Sequence, residues 1–450
     1  MSLLSRPART ALVAGTAGLA LVAAGCGSSE PSAPAAGGGT SAACAPFEKF
    51  GKHDGKKVSV YSSIRDTEAD LFQQTWMPFE KCTGMKITYE GAGEFEAQIQ
   101  VRSDGGNPPD LAFFPQPGLL QRFVAAGRLK PAPAEVKRLA EQNWSPDWAK
   151  YGTVDGTFYA APLGASVKSF VWYSPGMFKE KGWAVPKTWD ELMTLTDTIA
   201  GTGVKPWCAG IESGEATGWP ATDWIEDVLL RELGPEGYDD WVAHKIPFNA
   251  PEVVAAVDKV GAILKNERFV NGGYGPVKSI AGTAFQEGGV PITEGRCALH
   301  RQASFYANFW PEGTTVAEDG DVFAFYLPGN DPAEKPVLGA GEFVGAFTDR
   351  PEVQAVQAYL ATGDHANARM KLGTYVSANK GVDIANAQNP IDRLSIEMLH
   401  DPDTVFRFDG SDLMPAAVGA GTFWKGMTDW INGKDTTTVL DFIEASWPAS

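Results

Sequence analysis

Residues 57–115 hold five short segments in a row: "KVSVYSS" (57–63), "EADLFQQTWMPFEKCTG" (68–84), "MKITYEGAG" (85–93), "FEAQIQVRS" (95–103) and "PDLAFFP" (109–115). The first, third and fifth are apolar runs rich in β-branched or aromatic residues with polar or glycine-rich ends, which predicts strands. The second carries its apolar residues at helical spacing and stops at Gly84, and the fourth reads as a short helix. Strand and helix alternating in this order predict an α/β fold, a mostly parallel sheet with helices on both faces. Such sheets bind ligands outside the carboxyl ends of their strands. The loops at those ends hold Ser63, Arg65, Asp66, Glu94, Phe114 and Gln116.

The middle of the chain repeats the theme. "KSFVWYS" (168–174) and "KPWCAGI" (205–211) read as strands, and "TWDELMTLTDTIA" (188–200) as a capped helix. "ATDWIEDVLLREL" (221–233) and "PEVVAAVDKVGAILKN" (251–266) read as amphipathic helices. Two units of this kind predict two lobes. No Pro/Gly-rich linker separates them, so the chain is expected to cross between lobes more than once, and a cleft between lobes is the default place for a small ligand.

Outward from these units, Arg6 and Arg9 precede an apolar run from Ala11 to Ala24, the layout of an export signal over residues 1–25. The run is too short and wrongly flanked for a membrane-spanning helix. "LVAAGC" (21–26) resembles the bacterial lipobox, which implies acylation of Cys26, cleavage before it, and an extracytoplasmic protein held at the cell membrane by lipid. Gly, Ser, Pro and Ala dominate residues 27–43, a flexible tether that is expected, with Cys26, to extend to residue 55. The net charge of −17 over 450 residues argues against nucleic acid as a partner, because phosphate binding needs a basic face. With Cys26 taken by lipid, four cysteines remain, an even number in an oxidising compartment. Of their three pairings the most economical is Cys44–Cys82 with Cys208–Cys297, each confined to one region. No Cys-x₂-Cys spacing occurs and the five histidines stand apart, so neither a metal site nor a cofactor is expected.

Five further stretches carry a family likeness: "FEKCTGMKITYE" (79–90), "GGNPPDLAFFPQPG" (105–118), "VDGTFYAAPLGASVKSFVWYS" (154–174), "PKTWDEL" (186–192) and "MPAAVGAGTFWKGM" (414–427). In their order and spacing the chain resembles the solute-binding proteins of ATP-driven (ABC) sugar importers. "KPWCAGIESGEATGWPATDWIEDVLLR" (205–231), "CALHRQASF" (297–305) and "TVFRFDGSDLMP" (404–415) point within that family to the group that binds α-glucosides such as maltose, trehalose or sucrose. The resemblance implies a two-lobed, type II periplasmic-binding-protein fold with a multi-segment hinge. Lobe I would comprise residues 56–166 and 329–376, lobe II residues 167–328 and 377–450. It further implies a monomer that closes over one sugar and docks on permease subunits driven by a separate ATPase.

A sugar has apolar faces rimmed by hydroxyls, so its site needs aromatic rings and planar polar side chains. The resemblance puts Trp424 on a sugar face, with Phe114 as a second ring and Gln116 beside it as a hydroxyl partner. From the first lobe, Arg65, Asp66, Glu94 and Glu96 are the charged candidates. The second lobe would supply Glu215, Trp219, Asp223, Arg301, Gln302 and Phe305, and Lys168 stands at the first crossing. Several of these have plainer readings: Glu94, Glu96 and Asp223 also suit the first turn of a helix. A glycoside hydrolase would also use paired carboxylates, and Glu212, Glu215, Asp223 and Asp227 are dense, but no hydrolase, metalloprotease or phosphate-loop motif appears. Binding without chemistry is the expectation, a binder of polyamine, peptide or iron being the alternative.

Overall fold

The computed structural model describes residues 42–273 and 275–448. The export signal, Cys26 and the tether up to residue 41 lie outside the described residues. Among the described residues fifteen strands follow one another. They are β1 (Lys57–Ser62), β2 (Lys86–Gly91), β3 (Leu111–Phe114), β4 (Thr153–Val154), β5 (Thr157–Phe158), β6 (Ala160–Pro162), β7 (Ser166–Val167), β8 (Phe170–Tyr173), β9 (Lys205–Cys208), β10 (Val270–Asn271), β11 (Cys297–Arg301), β12 (Phe323–Tyr326), β13 (Pro336–Ala340), β14 (Phe343–Ala346) and β15 (Val405–Phe408). Three helices alternate with the first strands: α1 (Asp66–Thr83), α2 (Phe95–Asp104) and α3 (Pro117–Ala125). In α1, Ala69, Phe72, Trp76, Phe79 and Cys82 recur at spacings of three and four and bury one stripe against the sheet. Gly84 ends it in the left-handed conformation (φ 78°), its N–H donating to Glu80 O.

The first sheet has the order β2-β1-β3-β14-β6, the second β10-β9-β11-β8-β12. In each, four strands run one way and the fourth in order is reversed: β14 is antiparallel to β3 and β6, β8 to β11 and β12. Both reversals have one cause. A small third sheet, β15-β13-β7, links the two large ones, and each reversed strand is the first the chain builds on leaving it. The chain enters at the edge where the other strands end: Phe343 at the start of β14 pairs with Phe114 and Pro162, and Val171 at the start of β8 pairs with Arg301. The carboxyl edges of both sheets therefore face the connecting sheet, and the loops carried on those edges converge.

Over the second sheet lies a long helix, Trp219–Val242, which starts two residues earlier than its apolar spacing predicts and kinks at Gly234 (φ 67°) before Pro235. Residues 42–50 correct the expected extent of the tether. They form a 3₁₀ helix whose Phe47 and Phe50 rings pack edge-on to Phe79 and Tyr359 at 5.4–5.9 Å. Two phenylalanines three residues apart are enough to seat this turn on the body. Disulfides join Cys44 to Cys82 and Cys208 to Cys297. Among the described residues no helix is long and apolar enough to cross a membrane.

Candidate functional site

The rings come first, because half-exposed aromatic surface outside a core needs a reason. Gly218, at φ 114°, lies so close to Trp424 O that a Cβ there would stand 2.1 Å away, so only glycine lets the chain pass. Trp219 follows at once. Its ring lies 5.0 Å from Phe285 and 6.0 Å from Phe305, all three half-buried and outside the apolar clusters. Lys168 Nζ sits 5.4 Å from the centre of the Trp219 ring. Trp424 is only 5 % exposed yet also stands outside those clusters, and its Nε1 has no hydrogen-bond partner.

Beside the rings runs a buried ionic network. Lys168, 6 % exposed, donates to Asp223 Oδ1 (2.8 Å) and to Asp409. Arg301 donates to Asp227 Oδ2 (2.8 Å) and lies 3.2 Å from Asp223 Oδ2, while Arg231 pairs with Asp227. Glu226 accepts from the backbone N–H groups of Gly410 (3.0 Å) and Ser411 (3.1 Å). Three buried cations (Lys168, Arg231, Arg301) thus face five carboxylates (Asp223, Glu226, Asp227, Asp409, Asp412). Burial pulls the Lys168 ammonium down, but Asp223 and Asp409 outweigh it and hold it well above the usual lysine range. Burial raises the carboxyls of Glu226 and Asp412, and nearby Asp409 raises them further. These are the two acids left over once each cation has a partner, while burial also pushes Asp223 up, to about 7, against the pull of Lys168 and Arg301. Asp223, Glu226 and Asp409 present oxygens within 4.8 Å of one another. The Lys168 ammonium, bonded to two of them, supplies the charge a metal would bring.

The first sheet contributes from the opposite side. Gln116, at the end of β3 and 6 % exposed, donates from Nε2 to Glu96 Oε1 (2.9 Å), while its own Oε1 has no partner. Burial raises the Glu96 carboxyl, Gln116 opposes this, and Glu215 on the far side raises it again. Asp412 feels Glu96 in turn. Glu96, Gln116, Lys168, Glu215, Trp219, Asp223 and Arg301 are therefore brought together where the two carboxyl edges converge.

Other candidates fall elsewhere. Phe114 is a correction: its ring is fully buried among Phe95, Phe123 and Phe347 at 5.6–6.3 Å, because all four residues of β3 are core and none faces a cleft. Gln302 is buried with Oε1 accepting from Ala303 N (2.8 Å), turned onto its own backbone. Arg65, Asp66 and Glu94 are exposed at the carboxyl ends of β1 and β2, Asp66 with φ 55°, and the Arg65 guanidinium lies over Gly93. Asp409, Asp412 and Phe285 escaped the reading of the sequence. The two acids flank "GS" three residues apart in "FRFDGSDLMP", a helix-capping spacing, and Asp409 does accept from Ser411 Oγ and Asp412 N. Phe285 stands alone in a loop with no periodicity to mark it.

A family model described as bacterial extracellular solute-binding protein matches residues 61–362. The osmoprotective compounds-binding protein GgtB of Synechocystis sp. is 40 % identical over 408 residues, 88 % of this chain and 94 % of the relative. The alpha-glucosides-binding periplasmic protein AglE of Rhizobium meliloti is 39 % identical over 419 residues, 90 % of each chain. Among solved structures, a chitin oligosaccharide binding protein superposes with a TM-score of 0.73 at 19 % identity, covering 86 % of this chain and 97 % of that one. The bacterial solute receptor AcbH gives 0.72 at 19 %, covering 87 % and 98 %. These superpositions establish the fold as the two-lobed type II arrangement, each lobe built on one of the large sheets. On the family match and the length of the alignments, the chain belongs to the bacterial extracellular solute-binding proteins, which hold a solute and do not convert it.

Proposed function

We propose that this chain captures an α-glucoside, of the maltose, trehalose or sucrose type, between its lobes and delivers it to the permease of an ABC importer. One observation supports the reading above the rest. Gln116 Oε1 is a buried acceptor without a donor and Trp424 Nε1 a buried donor without an acceptor, beside half-exposed rings and acids. A buried polar atom left unpaired costs about 1–3 kcal/mol. A polyhydroxyl ligand, whose hydroxyls both give and accept, would satisfy both atoms while its apolar face covers a ring. The name of AglE, an alpha-glucosides-binding protein, agrees with such a ligand. In this reading the chain divides into lobe I, residues 56–166 and 329–376, and lobe II, residues 167–328 and 377–450. Cys26 carries the lipid, and the protein acts as a monomer.

A thermal-shift panel with maltose, trehalose, sucrose, melibiose, glucose, spermidine and a dipeptide tests the assignment. A ligand at a hundred times its Kd adds about 2.7 kcal/mol to the folded state. One or two α-glucosides are expected to raise the melting temperature and the other compounds to leave it unchanged. A shift with spermidine or the dipeptide alone would keep the fold and remove the sugar. With the sugar identified, Trp424→Ala is expected to weaken binding by about 1–3 kcal/mol, the worth of a buried side chain's apolar area. Unchanged affinity in a calorimetric titration would take Trp424 out of the site.

A further inference from the structure

The carboxyl edge of the first sheet carries a second group of acids, on the α1 side, that the site described above does not use. Glu68 stands in the first turn of α1, just beyond β1, and Glu342 in the short passage from β13 into β14. Glu342 is held firmly: its carbonyl accepts from Leu163 N (2.8 Å), and the Tyr375 hydroxyl donates to Leu163 O (2.6 Å). Gly164 leaves the room its side chain needs, since a Cβ there would stand 3.0 Å from Glu342 Oε2 and 3.2 Å from the Tyr375 ring. Both acids are half-buried, and among the described residues no other side chain hydrogen-bonds to either carboxylate. Burial raises both, Glu342 to about 7, with the Glu68 charge adding to the rise. A carboxyl that shows surface and still feels burial lines a crevice.

Behind Glu68 lies Arg369, on the helix Gly363–Met370. It is fully buried, its guanidinium 4.9 Å from the Phe72 ring and 5.2 Å from the Tyr375 ring, and Nη1 donates to Gly373 O (2.6 Å). Nε and Nη2 have no partner. The charges of Glu68 and Asp392 reach it, yet neither bonds to it; Asp392 accepts instead from Tyr375 N (3.2 Å) and Asn389 Nδ2 (2.8 Å). Buried donors without acceptors are rare, and a guanidinium can only donate. The other side supplies a ring. Ser304 Oγ accepts from Val167 N (3.2 Å) and so seats the half-buried Phe305 beside β7, whose Ser166 pairs with Ala340, two residues before Glu342. Gln116 follows β3, the neighbour of β14 in the sheet, so this crevice adjoins the pocket of Glu96 and Gln116 at one strand spacing, about 4.8 Å.

We propose that Glu342 binds the ligand: with Glu68, Arg369 and the Phe305 ring it forms a second pocket of the cleft, which takes the second sugar of a two-ring ligand while Gln116 and Glu96 hold the first. A hydroxyl suits it, accepting from the guanidinium and donating to a carboxylate, and hydrogen bonds with a charged partner are the strong ones. Two acids left facing one another without a cation bonded to either cost the fold something, and binding is what they return. This inference rests on the α-glucoside reading and deepens it: both pockets fill only with a disaccharide.

Stability and binding, measured on one variant, decide it. The folded chain keeps a proton on Glu342 that the unfolded chain has lost, so this group lowers stability as pH rises from about 4.3 through about 7. Glu342→Gln, which cannot ionise, is therefore expected to melt about 2 °C or more above wild type at pH 8 without ligand, and by less at pH 5. It is also expected to bind the α-glucoside picked out by the thermal-shift panel about tenfold or more weakly in a calorimetric titration. A residue serving only the fold would lose stability instead. A lower melting temperature at pH 8, or unchanged affinity, overturns the pocket. Should this variant not fold, Glu68→Gln carries the same two expectations. If spermidine or the dipeptide proves to be the binder, it replaces the sugar in the titration: a tenfold loss would keep the pocket and remove only the sugar, and unchanged affinity would remove both. A panel with no binder at all overturns both.

Discussion

Replacing Lys168 with methionine is expected to cost the fold about 3–5 kcal/mol, the range for removing one partner of a buried ion pair. The methionine fills the same space, so the loss is electrostatic: Asp223 keeps Arg301, but Asp409 is left buried beside it and Glu226 without a cation. The pH dependence gives the prediction its signature. The folded-state pKa of Lys168 is raised, so its contribution is complete below about pH 10.4 and fades only as pH climbs through the folded value. That of Asp409 is depressed by Lys168 against the cost of burial, so its contribution is present above about pH 3.9 and fades as pH falls through the folded value. Without the ammonium, burial works unopposed on Asp409 and favours its protonated form. The gap between wild type and variant should therefore be small near pH 4 and widen towards pH 8. Urea unfolding of both proteins at pH 5 and pH 8 measures it, and adding Asp409→Asn should recover part of the loss. Equal stabilities at pH 8 would mean that the network contributes nothing to the fold.

Removing the Cys208–Cys297 disulfide by a double alanine substitution should cost about 4 kcal/mol, within the usual 2–5 kcal/mol for a native bridge. The two cysteines lie 89 residues apart, and between them run the long helix, the ring Phe285 and the edge strand β10 of the second sheet. Cross-linking restrains that whole stretch in the unfolded chain, and the effect grows slowly with loop length. Both cysteines are buried, so reductant should reach the native protein only through unfolding. A urea midpoint within experimental error of wild type would show that the unfolded chain gains nothing from losing the bridge.

The first unit of the fold was legible because its signals are local. Strand 57–62, helix 66–83 and strand 86–91 announce themselves through side-chain period and a capping glycine, all within a few residues. The reversal of β8 and β14 was not, since the apolar pattern of a strand is the same in either direction and only the route through the connecting sheet sets it. The site divides the same way. Trp219, Asp223 and Arg301 lie in stretches marked by the family likeness; Asp409 lies in one too, 404–415, but it meets Lys168 across 241 positions, a distance over which no local pattern reaches. Phe114 misled for the opposite reason. A strand-end aromatic suits a cleft and a core equally, and here all of "LAFF" is buried.

The bond between Cys44 and Cys82 has a mechanical consequence. The eighteen residues of α1 span about 27 Å, from Asp66 at the carboxyl edge of the first sheet to the far edge where Cys82 is tied. Any tension on the chain ahead of Cys44 enters the body there and is borne by α1 and the strand beside it. That load path runs through the first sheet's side of the molecule alone, so a pull on the chain ahead of Cys44 would reach neither the second sheet nor the long helix over it.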